Sequence, residues 1–385
     1  MCKPGNWRYN LIVGVCKETK QNEKRVALTP EGAEKLLSLG FDITVESGAG
    51  AHSSYTDQSY EEAGAAIEQN REELLKKCDL LLAVQAPKDK TINSMKSGAV
   101  LISFIWPLQN SDYVEHLKKQ NITALAMDTI PRISRAQTMD ALSTMSNIAG
   151  YKAALLGANQ LDKYMPMMMT AAGTIPPAKV LVLGAGVAGL QAIATAKRLG
   201  AVVEAFDIRP VVKEQVESLG ATFVEVPIEE EETESKGGYA KELTERNKQK
   251  QREVIHQHVK KSDIVITTAL IPGKPAPLLV TKAMVEDMAP GSVVVDIAAE
   301  QGGNCEVTKP GETSDYRGVS IVAPLNIPSL LAFHASKLYS KNILSLLNLL
   351  VDDGQLTFDF EDDIILNATV THNGDIVSPF VKENS

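Results

Sequence analysis

The sequence predicts an α/β protein of two Rossmann-like, doubly wound parallel-sheet domains, joined by hinge helices with a cleft between them. Three observations carry that expectation. A length of 385 residues corresponds to two or three domains at about 150 residues each. From LIVGVC (11–16) onward, short apolar runs alternate with helical patterns. The runs are continuous rather than alternating, as in parallel strands covered on both faces. Finally, KVLVLG (179–184) leads directly into GAGVAG and the stretch LQAIATAKRLG, a strand, glycine turn and helix in succession.

Taken in order, LIVGVC reads as a buried strand and TPEGAEKLLSLG (29–40) as a helix opened by Thr29-Pro30 and stopped at Gly40. FDITVES, SYEEAGA, DLLLAVQ, VLISFIW, SDYVEHLKKQ and TALAM continue the rhythm. A helical pattern from Thr138 to Gln160 bridges to a second unit, whose strands are KVLVLG, AVVEAFD (201–207), SDIVITTAL (262–270) and GSVVVDIAAE (291–300). After residue 325 the pattern is helical, then ends in the β-like pieces TFDF and ATVTHNGDIVSPF, with Asn373-Gly374 marking a hairpin turn. This tail is expected to pack back on the first unit. The domains are therefore 1–137 with 326–385, and 138–325, and Met165, Met167, Met168 and Met169 are expected to pack at the bend between them.

Composition narrows the function. Lys and Arg number 39 against 48 Asp and Glu, a net charge of −9. That balance argues against a nucleic-acid binder, which needs net or clustered positive charge. An apolar fraction of 44% excludes wholesale disorder. The charge-free stretch Val180–Ala196 is interrupted by three glycines and falls short of the roughly 20 residues of a membrane span. MCKPGNWRYN shows neither signal nor transit pattern, so a soluble chain is expected. Cys2, Cys16, Cys78 and Cys305 lack zinc-ligand spacing and read as reduced intracellular thiols. His256 and His258, two apart on a helix, do not share a face, so no metal site is expected. The acidic run Glu229–Glu232 reads as solvated surface, and Gly237-Gly238 as the hinge of a loop that moves.

Gly184, Gly186 and Gly189 form GxGxxG between strand and helix. The first glycine permits the tight turn, the second lets backbone approach a pyrophosphate at the helix N-terminus, and the third allows close helix–strand packing. Asp207 ends the next strand, placed to accept hydrogen bonds from adenosine ribose hydroxyls. A carboxylate there repels a 2′-phosphate, so NAD(H) is favoured over NADP(H), although Arg209 is close enough to serve a phosphate. Thr267–Leu270 and Asp296–Gly303 lie at further strand C-termini, where open α/β sheets bind ligands.

KRVALTP (24–30), MDTIPRISRAQTMDALSTMSNIAGYKA (127–153), TAAGTIPPAKVLVLGAGVAGLQA (170–192), GGYAKE (237–242), TALIPGKPAP (268–277) and GGNCE (302–306) resemble the NAD(H)-binding first domain of proton-translocating nicotinamide nucleotide transhydrogenase. The resemblance runs from about residue 11 to the C-terminus. The sequence departs from the pattern in its methionine cluster and in a shorter, more acidic stretch before Gly237. Alanine dehydrogenases share the superfamily and the RVALTP opening. They need a lysine and a histidine where this sequence has Gln85 and Trp106, and an aspartate where it has Glu300. A tryptophan cannot serve as the general acid or base of oxidative deamination.

The resemblance implies a nicotinamide-end segment containing Arg132, Ile133, Ser134, Gln137, Thr138, Met139, Asp140, Ser143 and Tyr151, with Arg132, Gln137 and Asp140 in the catalytic role. Arg132 suits the carboxamide or pyrophosphate end, and Gln137 can bridge the nicotinamide ribose to a second nucleotide. The same segment also reads as a helix start, with Thr138 or Ser134 as cap and Asp140 in the first turn. On the adenosine side the resemblance implies Gly184, Gly186, Val187, Ala188, Gly189, Asp207, Ile208, Arg209, Gly238, Gln251 and Leu270, with Tyr239 in a loop that closes over nucleotide. It further implies Re/Si-specific hydride transfer to or from NADP(H) held on a partner domain, coupled to proton translocation by a membrane domain. The chain would work as a homodimer at the cytoplasmic or matrix face of that membrane and be inactive alone. The alternatives are an alanine dehydrogenase-like oxidoreductase and a non-catalytic NAD(H)-binding module.

Overall fold

The computed structural model describes residues 11–226, 245–271, 274–352 and 355–382. The chain forms two compact units, Met1–Met145 with Ser329–Ser385, and Ser146–Pro328. The division falls inside a helix, Ala141–Gln160, rather than ahead of it.

In the first unit β1 (Ile12–Val15), β2 (Asp42–Glu46), β3 (Ala66–Glu68), β4 (Leu80–Leu82), β5 (Val100–Ser103) and β6 (Thr123–Ala126) form a parallel sheet in the order β3-β2-β1-β4-β5-β6. Two tail strands, Thr369–His372 and Asp375–Ile376, extend it beyond β6 as antiparallel partners. Asn373 and Gly374 both take the left-handed conformation, φ 49° and 77°, as a two-residue hairpin turn between these strands requires. Strand β4 is wholly buried, in line with its unbroken Leu-Leu-Leu run. Thr29 caps the helix Pro30–Ser38 by accepting the Gly32 N–H at 3.3 Å, with proline at its first position.

The tail completes this unit through polar contacts as well as apolar ones. From the buried face of the helix Ala332–Leu350, Ser336 Oγ accepts the Val26 N–H at 3.0 Å and Tyr339 donates to the Ala83 carbonyl at 3.0 Å. Beneath them Arg25 is fully enclosed, its Nε and Nη2 donating to the Glu23 carboxylate at 2.8 and 2.7 Å. Gln85 Nε2 donates to the same carboxylate at 2.8 Å and Lys20 Nζ to Gln85 Oε1 at 3.2 Å. Burial alone would raise the Glu23 carboxyl, but the hydrogen bonds and charge of Arg25 prevail and hold it at about 2. At Glu18 the charge of Arg25 acts only weakly. Burial pushes this carboxyl up to about 7, against the Val84 N–H it accepts at 2.6 Å.

In the second unit a small hairpin, β7 (Met168–Thr170) and β8 (Gly173–Ile175), precedes the sheet. The sheet consists of β9 (Lys179–Leu183), β10 (Val202–Phe206), β11 (Thr222–Phe223), β12 (Ile264–Thr267), β13 (Val293–Asp296), β14 (Thr313–Tyr316) and β15 (Val319–Val322). Its order is β11-β10-β9-β12-β13-β15-β14, parallel except for β14. Both sheets run outward from their first long strand in two directions, so each has a switch point, between β1 and β4 and between β9 and β12. Val180, Val182, Ile264, Ile266, Val293 and Val295 form the centre of one core layer.

Three expectations need correction. The bridge helix starts at Ala141 rather than Thr138, because the Asp140 carboxylate takes the Ser143 N–H at 2.8 Å and so caps it. The methionines do not pack together at a bend. Met165 is buried in the core of the second unit, Met167 and Met169 are 59% and 78% exposed, and Met168 and Met169 lie in the β7–β8 hairpin. TFDF is not a strand; the chain pairs Val351–Asp352 with Gln355–Leu356 just before it. Among the described residues no helix is long and apolar enough to cross a membrane.

The Glu18 geometry predicts a pH dependence of stability. The folded chain keeps a proton at Glu18 that the unfolded chain releases above about 4.5, so stability falls as pH rises from there to about 7. Glu23 acts in a separate window, its contribution being lost as pH falls from about 4.5 towards 2. Thermal unfolding followed across neutral pH should show Glu18→Gln losing less stability than the parent chain between pH about 5 and about 7. Parallel curves for the two proteins would contradict this.

Candidate functional site

At the C-terminal end of β9 the chain turns at Gly184 with φ +100°. A side chain there would be strained and would meet Thr268 Oγ1 at 2.6 Å. Thr268 instead donates to the Gly184 carbonyl at 3.0 Å. The helix Val187–Arg198 follows at once, with Gly186 at its cap and no side-chain capping bond, so its first N–H groups face outward as a site for an anion. A Cβ on Gly186 would meet nothing within 4 Å, whereas one on Gly189 would lie 1.8 Å from the Gly184 carbonyl oxygen. The second glycine thus leaves open a space at the helix start, and the third lets the helix touch the turn. The helix is held from behind too: at Gly150 of the bridge helix a Cβ would lie 1.9 Å from the Ala188 carbonyl oxygen.

Asp207, just past β10, is bonded to the turn itself. Its Oδ2 accepts the Ala185 N–H at 2.7 Å, and its Oδ1 accepts the Arg209 N–H at 2.9 Å. The Arg209 guanidinium closes on the same carboxylate, Nε and Nη2 each at 3.0 Å. Val187 is exposed, Ala188 and Ile208 half-buried. Leu270, 44% exposed, ends the Thr267–Leu270 segment, whose preceding Ala269 is clasped by buried Asn304: the Ala269 N–H donates to Oδ1 at 3.0 Å and Nδ2 donates to the Ala269 carbonyl at 2.9 Å. Gln251, on the helix Glu245–Val259, has a buried Oε1 with no hydrogen-bond partner among the described residues. Gly238 and Tyr239 lie outside the described residues.

The second strand-end segment is structural. Asp296 is fully buried and accepts from Thr267 Oγ1, Thr308 Oγ1 and the backbone of Ala298 and Cys305. Glu300 accepts the Asn326 N–H. His256 and His258 take separate partners, Asp287 and Glu204.

The Arg132 segment lies in the first unit as one short 3-10 helix, Ser134–Met139, uncapped by any side chain. Ala136 and Met139 are buried, while Arg132, Ile133, Ser134, Gln137 and Thr138 are exposed. The carboxylate of Asp140 is bonded to Ser143, its backbone N–H at 2.8 Å and its Oγ at 2.6 Å. Two anchors that sequence reasoning missed hold the segment down. Asn342 Nδ2 donates to the Thr138 carbonyl at 2.8 Å, and Arg135 pairs with Asp362 at 2.5 Å. Both partners are more than 200 positions away, and nothing in the local pattern marks them. In the second unit Tyr151 is 39% exposed.

The open space at Gly186, the unsatisfied helix start and the orphaned Gln251 oxygen fit a bound dinucleotide. The geometry separates the two inner glycines. Gly189→Ala should destabilise the second unit by about 1–3 kcal/mol or more through overpacking, read by thermal or urea unfolding. Gly186→Ala should leave stability within about 1 kcal/mol. Equal losses would contradict the close approach at Gly189.

Residues 14–149 match the family described as Alanine dehydrogenase/PNT, N-terminal domain, and residues 153–379 match its C-terminal domain. An NAD(P) transhydrogenase alpha-subunit chain of Rhodospirillum rubrum is 49% identical over 375 residues, covering 95% of this chain and 98% of that one. The solved structure of transhydrogenase from Sinorhizobium meliloti superimposes with a TM-score of 0.87 at 46% identity, over 95% of this chain and all of that one. More distant is an alanine dehydrogenase of Methanococcus maripaludis, 30% identical over 374 residues, 95% of this chain and 94% of the relative. The chain belongs to the alanine dehydrogenase/PNT family, with close homologues among the NAD(P) transhydrogenase alpha subunits.

Proposed function

We propose that the chain binds NAD(H) and presents its nicotinamide for direct, Re/Si-specific hydride transfer to or from NADP(H) on a partner domain. In the full assembly this transfer is coupled to proton translocation through a membrane domain. The observation that carries the reading is the glycine turn on a bare helix start, open at Gly186 and braced by Asp207. It occurs in a chain 49% identical to a transhydrogenase subunit.

Bound NAD(H) supplies a nicotinamide C4 able to give or take a hydride. The chain's own residues bind and orient. The turn and the first N–H groups of Val187–Arg198 hold the pyrophosphate, and the helix dipole favours its charge. Asp207, Ile208, Gln251 and Leu270 serve the adenosine end, with Arg209 folded over the Asp207 carboxylate. Arg132, Gln137 and Asp140 serve the nicotinamide end, with Ile133, Ser134, Thr138, Met139, Ser143 and Tyr151 around them. Arg132 is a forked cation for carboxamide or phosphate oxygens, and Gln137 both donates and accepts, which suits a bridge to a second nucleotide. Gly238 and Tyr239 belong to the covering loop in this reading. No nucleophile or acid–base pair is called for, because holding two rings in contact is itself the catalytic contribution. The exposed Met167, Met169 and Ile175 of the hairpin region offer an apolar surface for a second copy of the chain, which supports a homodimer. The chain's likeness to a transhydrogenase alpha subunit supports a place as a peripheral component at the cytoplasmic or matrix face of the membrane.

Mixing the chain with an NADP(H)-binding transhydrogenase domain should let NADPH reduce an NAD analogue, and L-alanine in place of NADPH should give no turnover. A rate no higher than that of either protein alone would falsify the reading, and turnover with L-alanine would favour an amino-acid dehydrogenase. Gln137→Asn should slow hydride transfer at least about tenfold while leaving NADH affinity within about threefold. Matched losses in rate and affinity would reduce Gln137 to a binding residue.

A further inference from the structure

The carboxylate that braces the glycine turn is fully occupied by the chain's own donors. A carboxylate offers about four acceptor directions, and at Asp207 four N–H groups fill them: Ala185 N, Arg209 N, Arg209 Nε and Arg209 Nη2. The first two are backbone groups fixed by the turn. The last two belong to one guanidinium fork, whose side chain is 23% exposed against 7% for Asp207.

We propose that Arg209 is a specificity-determining latch, whose guanidinium fork occupies the two positions on Asp207 that the vicinal hydroxyls of an adenosine ribose take. The proposal rests on the NAD(H) reading above. Binding then exchanges two N–H donors for two O–H donors on the same carboxylate, while the bonds to Ala185 and to the Arg209 backbone stay in place. The glycine turn thereby keeps its brace in both states. The exchange selects for the ribose: an intact diol supplies two donors and releases the guanidinium from the carboxylate. A 2′-phosphorylated ribose supplies one hydroxyl and sets anionic oxygens against a carboxylate, so it cannot complete the exchange.

The fork is a competitor for the ribose, so removing it should tighten binding. By isothermal titration, Arg209→Ala should bind NADH about two- to fivefold more tightly than the parent chain, the range for breaking a partly exposed ion pair. ADP-ribose, which carries the same adenosine end without nicotinamide, should gain by the same factor, and NADPH should gain nothing. Arg209→Lys keeps the charge but lacks the fork, so it should fall between the two. Unchanged or weaker affinity of Arg209→Ala for both NADH and ADP-ribose would overturn the latch, as would a gain confined to NADH. A parent chain that binds neither ligand would overturn the NAD(H) reading itself and the latch with it.

Discussion

The Asp207 carboxylate sits where two neighbouring parallel strands release their chains, and it holds both. β9 and β10 are paired along their length, and the Gly184 N–H still donates to the Phe206 carbonyl at 2.8 Å after β9 ends. One residue further, Ala185 donates to Asp207, so the chain is fixed on both sides of the left-handed turn. That fixed turn determines where the helix Val187–Arg198 can begin. Because Gly189 has no side chain, the helix rests directly on the Gly184 carbonyl, and because Gly150 has none, the bridge helix rests on Ala188. Three backbone segments, the glycine turn, this helix and the bridge helix, thus pack in succession at van der Waals distance. The bare helix start is a by-product of that close packing.

The first unit is organised by a different balance of charge. Arg25 is enclosed with a carboxylate, an amide and the tail helix around it, and a buried cation is tolerable only when so paired. The tail contributes structure to this unit beyond apolar cover. Ser336, Ser340 and Tyr339 satisfy backbone groups of the RVALTP segment and of the residues after β4. Asn342 and Asp362 hold the Arg132–Asp140 segment at its carbonyl and at Arg135. A segment with six exposed side chains keeps a defined backbone because its buried positions, Ala136 and Met139, and these two polar anchors are fixed from a distant part of the chain.

Much of this was legible in the sequence, and the exceptions have physical reasons. Continuous apolar runs located the central strands of both sheets, because a parallel strand buried on both faces leaves no other pattern. The glycine turn was legible because each glycine answers a separate steric demand. Asp140 and the methionines were misread by rules that are sound locally. Asp140 caps the helix that Thr138 was expected to open, since several polar residues there compete for the cap and only geometry chooses. The methionines read as packing because apolar clusters usually are buried, yet Met167 and Met169 are exposed and, with Met168, flank or enter a two-stranded hairpin. The Asn342 and Asp362 anchors were illegible, since a polar residue on a mostly apolar tail helix does not reveal which carbonyl it reaches. The occupancy of Asp207 was also illegible: spacing placed the acid at the end of its strand, but not the arginine folded over it.

A dinucleotide on the braced glycine turn of the second unit would be felt first by the backbone amides around it. Amide chemical shifts of the isotopically labelled chain, followed during NADH titration, test this most directly. The amides of Ala185, Gly186, Val187 and Ala188 should move first and furthest, saturating together with those of Asp207 and Arg209. Saturable shifts confined to other residues, with these six unmoved, would contradict it.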